Sequence, residues 1–283
     1  MKKILAMILA LTMVFALCAC GSSSAPAATE APAADVPADA PAAEASAEAE
    51  SDLAYVQGKG SLIVGITDFA PMDYKDGDEW IGFDADMAKA FAKSLGVDVE
   101  FIEIDWDNKI LELGSKSIDC VWNGMTLTPE VLNSMACSDA YCNNAQVVVV
   151  KSDVADQYQT ADSLASLAFA VEAGSAGEAA VKELGIEPTA VQTQADALME
   201  VQAGTADACV IDLLMAGAMI GEGTSYPELS YTVELTSEEY GVGFRSGSDL
   251  AAALNDFFAA SYADGSMLEI ANTYGVQESV IAK

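Results

Sequence analysis

Two stretches far apart in the chain are written in one grammar. Leu111-Glu112-Leu113-Gly114 is followed by Ile118-Asp119-Cys120-Val121-Trp122. Leu198-Met199-Glu200-Val201 and then Gly204 are followed by Ala206-Asp207-Ala208-Cys209-Val210-Ile211. Each reads as a helix end, a Gly turn and a short apolar strand with Asp near its start. Two copies imply two similar α/β halves. Chance likeness between two ordinary β-α-β units is the alternative.

The flanking segments fit two halves. Strands are expected at 61–66, 97–104, 118–122, 146–150, 167–171 and 206–211, with extended segments over 233–244. Helices are expected at 86–95, closed by Gly96, and at 108–113, 178–184, 196–202 and 249–262. Strand and helix alternate, which is the pattern of an open parallel sheet covered by helices. In such sheets ligands sit at the carboxyl ends of the strands. Those ends carry residues 123–128 in one half, and 174–177 with Asp212 in the other. Two mouths that face each other make a cleft, and hinged closure is the expected motion.

The first fifty residues read differently. Lys2 and Lys3 precede an apolar run over 4–17, which is the layout of a signal peptide. The run is short for a membrane span, which takes roughly 20 residues. Ala19 stands before Cys20, and Leu17 three residues before it, which resembles a bacterial lipobox with Cys20 as the lipid attachment site, palmitate included. An ordinary cleaved signal with incidental cysteines is the alternative. Residues 21–52 are Ala, Pro, Ser and acidic residues with Val36 as the one large apolar side chain, and read as a disordered acidic tether.

Composition excludes several classes of function. The chain has 12 basic against 44 acidic residues, and loss of the signal with Lys2 and Lys3 takes the formal charge from −32 to −34. Nucleic-acid binding needs clustered Lys and Arg. Histidine is absent, which removes Ser-His-Asp and Cys-His triads and His-based metal sites. Past the lipobox, Cys120, Cys137, Cys142 and Cys209 lack the CxxC spacing of a zinc site. Cys120 and Cys209 read as small core residues, and a Cys137–Cys142 disulfide stays open. No catalytic residue, metal or cofactor is expected.

With this much in place, an ordered set of landmarks resembles the family 3, polar amino-acid type solute-binding proteins of ABC importers. They are Val64-Gly65-Ile66-Thr67-Asp68, Gly82-Phe83-Asp84-Ala85-Asp86, Asp105-Trp106-Asp107, residues 123–130, Ser138-Asp139-Ala140-Tyr141, Ala173-Gly174-Ser175-Ala176-Gly177, Ala206-Asp207-Ala208 and Tyr240-Gly241-Val242. The resemblance implies a two-lobed, periplasmic-binding-protein-like type II α/β fold with open sheets, two crossover hinge strands and a cleft between the lobes. Lobe 1 would comprise 53–140 and 240–283, lobe 2 would comprise 141–239, and the crossovers would lie near 143–147 and 236–240. The implied partners are an amino-acid-like solute and a membrane permease with its ATPase. The protein would be a monomer on the extracytoplasmic face, held at the membrane by its lipid.

The resemblance also implies site residues. Phe69 and Trp106 would wall the solute, each with a core aromatic as its alternative. Gly124 and Thr126 would offer backbone groups and a hydroxyl. Ser175 and Ala176 would offer N–H groups at a helix N-terminus. Asp212 would take the solute's ammonium, with a helix cap as its alternative. Trp122 reads as core, with a further aromatic wall of the pocket as its alternative. Two departures matter. Where the family places a carboxylate-clamping Arg, this chain has Val131, and its one arginine is Arg245. Lys109, one turn after Trp106, is the nearest substitute. Glu172, with Asp212 and Asp68, makes the expected pocket acidic, which points to a solute with at least one amine: a basic amino acid or an amine without a free carboxylate. An enzyme on the same fold, of dehydratase or lyase type, is a rival reading. So is an extracytoplasmic sensor module, which is expected to be followed by a membrane helix and signalling domain, and neither follows before Lys283.

Overall fold

Thirteen residues of one helix show how local chemistry sets the elements. Helix α2 (Phe83–Leu95) turns Phe83, Met87, Ala88, Phe91 and Ala92 into the core at helical spacing. Gly96, in the left-handed region at φ 74°, closes it by donating to the carbonyls of Ala92 and Lys93. Gly82 at its start has no substitute, because a Cβ there would lie 2.1 Å from the Met72 carbonyl oxygen.

The computed structural model describes residues 51–283. The expected signal peptide, Cys20 and all but the last two residues of the expected tether lie outside them. Ser51 caps α1 (Asp52–Lys59), two residues ahead of position 53, the expected start of lobe 1. There follow β1 (Ser61–Ile66), a hairpin of β2 (Tyr74–Asp76) and β3 (Glu79–Ile81), α2, β4 (Asp98–Glu103), α3 (Lys109–Ser115), β5 (Cys120–Thr126), α4 (Pro129–Ser134) and β6 (Ala136–Cys137). The long β7 (Cys142–Lys151) leads to β8 (Phe169–Glu172), α5 (Ala176–Glu183), β9 (Thr189–Val191), α6 (Gln194–Ala203), β10 (Ala208–Asp212) and α7 (Leu213–Met219). The still longer β11 (Leu229–Phe244) precedes α8 (Leu250–Asp264) and α9 (Ser266–Tyr274).

The strand order is β4-β1-β5-β11-β7-β10-β8-β9, with β6 on β11. Within each half the strands run parallel, β4-β1-β5 in one and β9-β8-β10 in the other. Both halves end on an antiparallel strand, β11 or β7, and those two pair with each other from Leu229↔Lys151 to Tyr240↔Cys142. The fold is therefore a two-lobed α/β architecture. Its sheet is mixed and hydrogen-bonded through both lobes, where sequence alone suggested separate, parallel, open sheets. The antiparallel joints are the reason. They also lengthen β5: residues 123–126, expected as loop, pair with β11 at Tyr240↔Thr126 and Gly241↔Met125.

The repeated grammar is realised in matching places. β5 and β10 are equivalent strands, and their aspartates do the same job. Asp119 accepts from Ile63 N at 2.8 Å, and Asp207 accepts from Ala168 N at 2.9 Å. Each also donates its own N–H back, to the carbonyls of Ile63 and Ala168. Cys120 and Cys209 are fully buried, all four described cysteines are free thiols, and Trp122 is core.

Arg245 lies far from the cleft. It holds Asp52 of α1 at 3.0 Å, Asp119 at 3.4 Å and the Ile118 carbonyl at 2.9 Å, and so ties the first helix to the sheet. Asp119 also takes Lys59 at 2.5 Å. Removing one partner of a buried pair leaves the other charge uncompensated. Arg245→Met is expected to cost about 3 kcal/mol, read as a lower urea midpoint at unchanged m-value.

Candidate functional site

A cavity of about 240 Å³ lies where the carboxyl ends of β5, β8 and β10 converge. Lobe 1 contributes Phe69, Trp106, Lys109, Gly124, Thr126 and Val131 to its wall, and the other lobe contributes Glu172, Ser175, Ala176, Gln194 and Asp212. Gln146, from β7, closes the floor. The lobes touch around it. Lys109 Nζ donates to the Gly174 carbonyl at 3.0 Å, and Gln192 Nε2 to Asp105 Oδ1 at 2.9 Å. A Cβ on Gly174 would lie 2.9 Å from Asp107 Cα, so only glycine permits this approach.

The expected site residues come together here with one exception. Asp68 lines a separate cleft with Glu103, Asp105 and Gln192, outside the main cavity. Asp68, two residues past the end of β1, is exposed, whereas its neighbour Phe69 is buried. Thr126 lines the cavity, yet its hydroxyl is committed as a donor to Glu238 Oε1 at 2.8 Å. Ser175 Oγ is likewise engaged, accepting from Glu178 N at 3.0 Å as the cap of α5. Asp212 precedes α7 without capping it. Its carboxylate turns instead into a network: Oδ1 accepts from Tyr240 OH at 2.8 Å, Gln146 Nε2 at 2.9 Å and Asn144 Nδ2, and Oδ2 accepts from Gln194 Nε2.

Sequence reasoning missed Gln146 and Gln194. Gln146 is the last of three amides, after Asn143 and Asn144, before the apolar Val147–Val150 run of β7, and that polar start is a usable signal. Gln146 Nε2 bridges Asp212 and Glu238, at 2.9 and 2.7 Å, which fixes the amide's orientation and leaves its Oε1 pointing away from both. That Oε1 and Glu172 Oε1 are buried without a hydrogen-bond partner. Gln194 gave no comparable signal, since Thr193 and Asp196 form an ordinary capping box around it.

Burial governs the charges. Glu172 is 3 % exposed, and its carboxyl is pushed up to about 8 by desolvation and then by the nearby Asp212, against the pull of Lys109. Asp212 is raised to about 7 by desolvation and by Glu238, against its hydrogen bonds. Below the cavity, Asp84 rises to about 6 for the same first reason, while accepting from Tyr141 OH and from Gly124 N at 2.7 Å. Lys109 is lowered by burial. Its Nζ donates to the Trp106 carbonyl at 3.2 Å and sits 4.9 Å from the Trp106 ring centroid. Among the described residues no cluster of His, Cys, Asp and Glu is arranged to hold a metal ion.

Residues 62–277 match the family described as bacterial extracellular solute-binding proteins, family 3. The chain belongs to that family. It is 31% identical to the arginine-binding extracellular protein ArtP of Bacillus subtilis, over 90% of this chain and 91% of ArtP. Its fold matches an ABC uptake transporter substrate-binding protein from Streptococcus pneumoniae with bound histidine, at TM-score 0.75 and 29% identity, covering 83% of this chain and 99% of that one. It also matches an ancestral amino acid-binding protein, a precursor of cyclohexadienyl dehydratase, at TM-score 0.72 and 32% identity, covering 79% and 99%.

Two predictions follow from the wall. Gly124 sits at φ 53°, and a Cβ on it would lie 2.3 Å from Phe69 Cε1. Gly124→Ala should push Phe69 into the cavity and cost about 1–3 kcal/mol of stability, seen as a lower Tm and a lost ligand-induced shift. The second concerns pH. Unfolded carboxyls lose their protons near pH 4. Folded Asp84, Asp212 and Glu172 hold theirs to about 6, 7 and 8. The native state therefore binds more protons than the unfolded one across that interval, so ligand-free stability falls as pH rises through 6 to 8. Self-repulsion of the acidic chain acts in the same sense. A Tm series from pH 4 to 9 should fall less steeply above pH 6 in Glu172→Gln than in the parent.

Proposed function

We propose that this chain is the substrate-binding component of an ABC importer for an amino-acid-like amine, carried on the outer face of the membrane by a lipid on Cys20. The observation that carries the ligand reading is the pair of partnerless buried acceptors, Glu172 Oε1 and Gln146 Oε1, on two residues that line the cavity together with Asp212. A buried acceptor without a donor is costly, and an ammonium or guanidinium supplies several donors at once. Phe69 and Trp106 line the same space and add apolar and cation–π contact. Relatives that bind arginine or histidine support a nitrogen-rich solute.

In this reading the solute enters between parted lobes and is enclosed as Lys109 meets Gly174 and Gln192 meets Asp105. The closed form is then offered to a membrane permease whose ATPase drives release. The protein captures its solute without changing it. The body acts as a monomer. No helix among the described residues is long and apolar enough to cross a membrane. Attachment would rest on Cys20 and its acyl chains, each buried CH₂ contributing about 0.8 kcal/mol.

The test is a thermal-shift screen against amino acids, their amides and amines. A ligand at about 100 times its Kd should add about 2.7 kcal/mol. Asp212→Asn should abolish the shift, and the solute should be recovered unchanged. A shift confined to acidic solutes would overturn the reading. Anchoring has its own assay: labelled palmitate should enter the parent protein and not Cys20→Ser, which should be released into the medium.

A further inference from the structure

The cavity wall offers an anion no free cationic side chain. Its one cationic side chain, Lys109, already spends two of three ammonium donors, on the Trp106 carbonyl at 3.2 Å and the Gly174 carbonyl at 3.0 Å. Its charge is answered by the surrounding carboxylates of Glu130, Glu172, Asp107 and Glu178. The N-terminus of α5, which would otherwise favour an anion, carries the carboxylate of Glu178, whose Oε2 accepts from Gly174 N at 2.9 Å. Val131, on α4, presents a buried apolar side chain to the cavity. The charges on the lining itself are Glu172 and Asp212 inside and Glu130 at the exposed rim, against Lys109 alone. Both partnerless buried side-chain atoms of the lining are acceptors.

We infer that the solute is an aliphatic amine or guanidine without a free carboxylate: a decarboxylated or amidated counterpart of a basic amino acid. This rests on the amine reading above and narrows it. The cationic head meets Glu172 and Gln146, whose open oxygens need donors. The apolar stem runs along Trp106 and Val131. A free carboxylate would add a further negative charge beside Glu172 and Asp212, where the single ammonium is already committed.

Matched pairs test this on the intact chain by calorimetric titration at pH 8. Agmatine against arginine, cadaverine against lysine, and argininamide against arginine differ at the carboxylate alone. The member without the carboxylate is expected to bind at least tenfold tighter in every pair that binds. If the amino acids bind equally or more tightly, the inference falls while the amine reading stands. If only neutral or acidic amino acids bind, both fall, and if no member of any pair binds, the inference falls. Val131→Arg supplies the second arm. A guanidinium at that wall should move the preference at least tenfold toward the carboxylate-bearing members. An unchanged preference in a folded variant would overturn the placement of the stem against Val131.

Discussion

The antiparallel ladder between β7 and β11 is the constraint on which the rest of the molecule depends. It runs from Leu229↔Lys151 at one end to Tyr240↔Cys142 at the other. Lobe 1 pairs with one edge of it through β5, and lobe 2 with the other through β10. Every side chain that fixes Asp212 from below stands on these two strands: Asn144 and Gln146 on β7, and Tyr240 on β11. Glu238 shares the same two amides and also takes the Thr126 hydroxyl from lobe 1. A change in the angle between the lobes therefore has to pass through the groups that orient the site's carboxylate. Register shifts interrupt the ladder between Tyr231 and Thr236, close to where that network begins.

Asp212 and Glu172 carry opposite lessons about buried charge. Asp212 is answered by four hydrogen bonds from the protein itself, which fix its position. Glu172 has one oxygen with no partner, and desolvation drives it toward the neutral form. A stable core would not retain such a group, since an apolar side chain of the same shape would do better. Its retention in the wall of a cavity is the kind of local inconsistency that functional sites show. The first group is preorganised for a ligand, and the second is completed by one.

Much of this was legible in the sequence, for definite reasons. The echo between 111–122 and 198–211 marks strands buried on both faces, and such strands announce themselves by unbroken apolar runs. Asp119 and Asp207 could be seen to recur, but their job, closing the start of the neighbouring strand, needed coordinates. The extension of β5 through Asn123–Thr126 is hidden, because asparagine and glycine favour turns locally and only pairing with β11 makes this segment strand. The motif around Asp68 points to the pocket, but the residue is exposed and lines a separate cleft. Gln146 was overlooked because β7 reads as a plain core strand from Val147 onward. Arg245 was noted only as misplaced for a clamp. Its partners, Asp52 and Asp119, lie nearly two hundred and more than one hundred and twenty residues away, beyond any local pattern.

The two lobes, the proton and the solute are linked through one thermodynamic cycle. Closing the lobes around an empty cavity removes Glu172 and Asp212 from water, and the cost depends on whether they carry charge. At low pH the proton answers them, and closure needs no ligand. At high pH both are anions, and closure waits for a cation that lies between the lobes and supplies N–H donors to Glu172 and Gln146. A ligand shifts the open–closed equilibrium only by its differential affinity for the closed form. An ammonium has that differential because its acceptors stand together on β8, β10 and β7 of one lobe, and Trp106 and Phe69 reach it only from the other. Proton and solute thus compete for the same carboxylates. On the amine reading proposed above, capture at neutral pH would expel protons, and a local fall in pH would favour release of the solute.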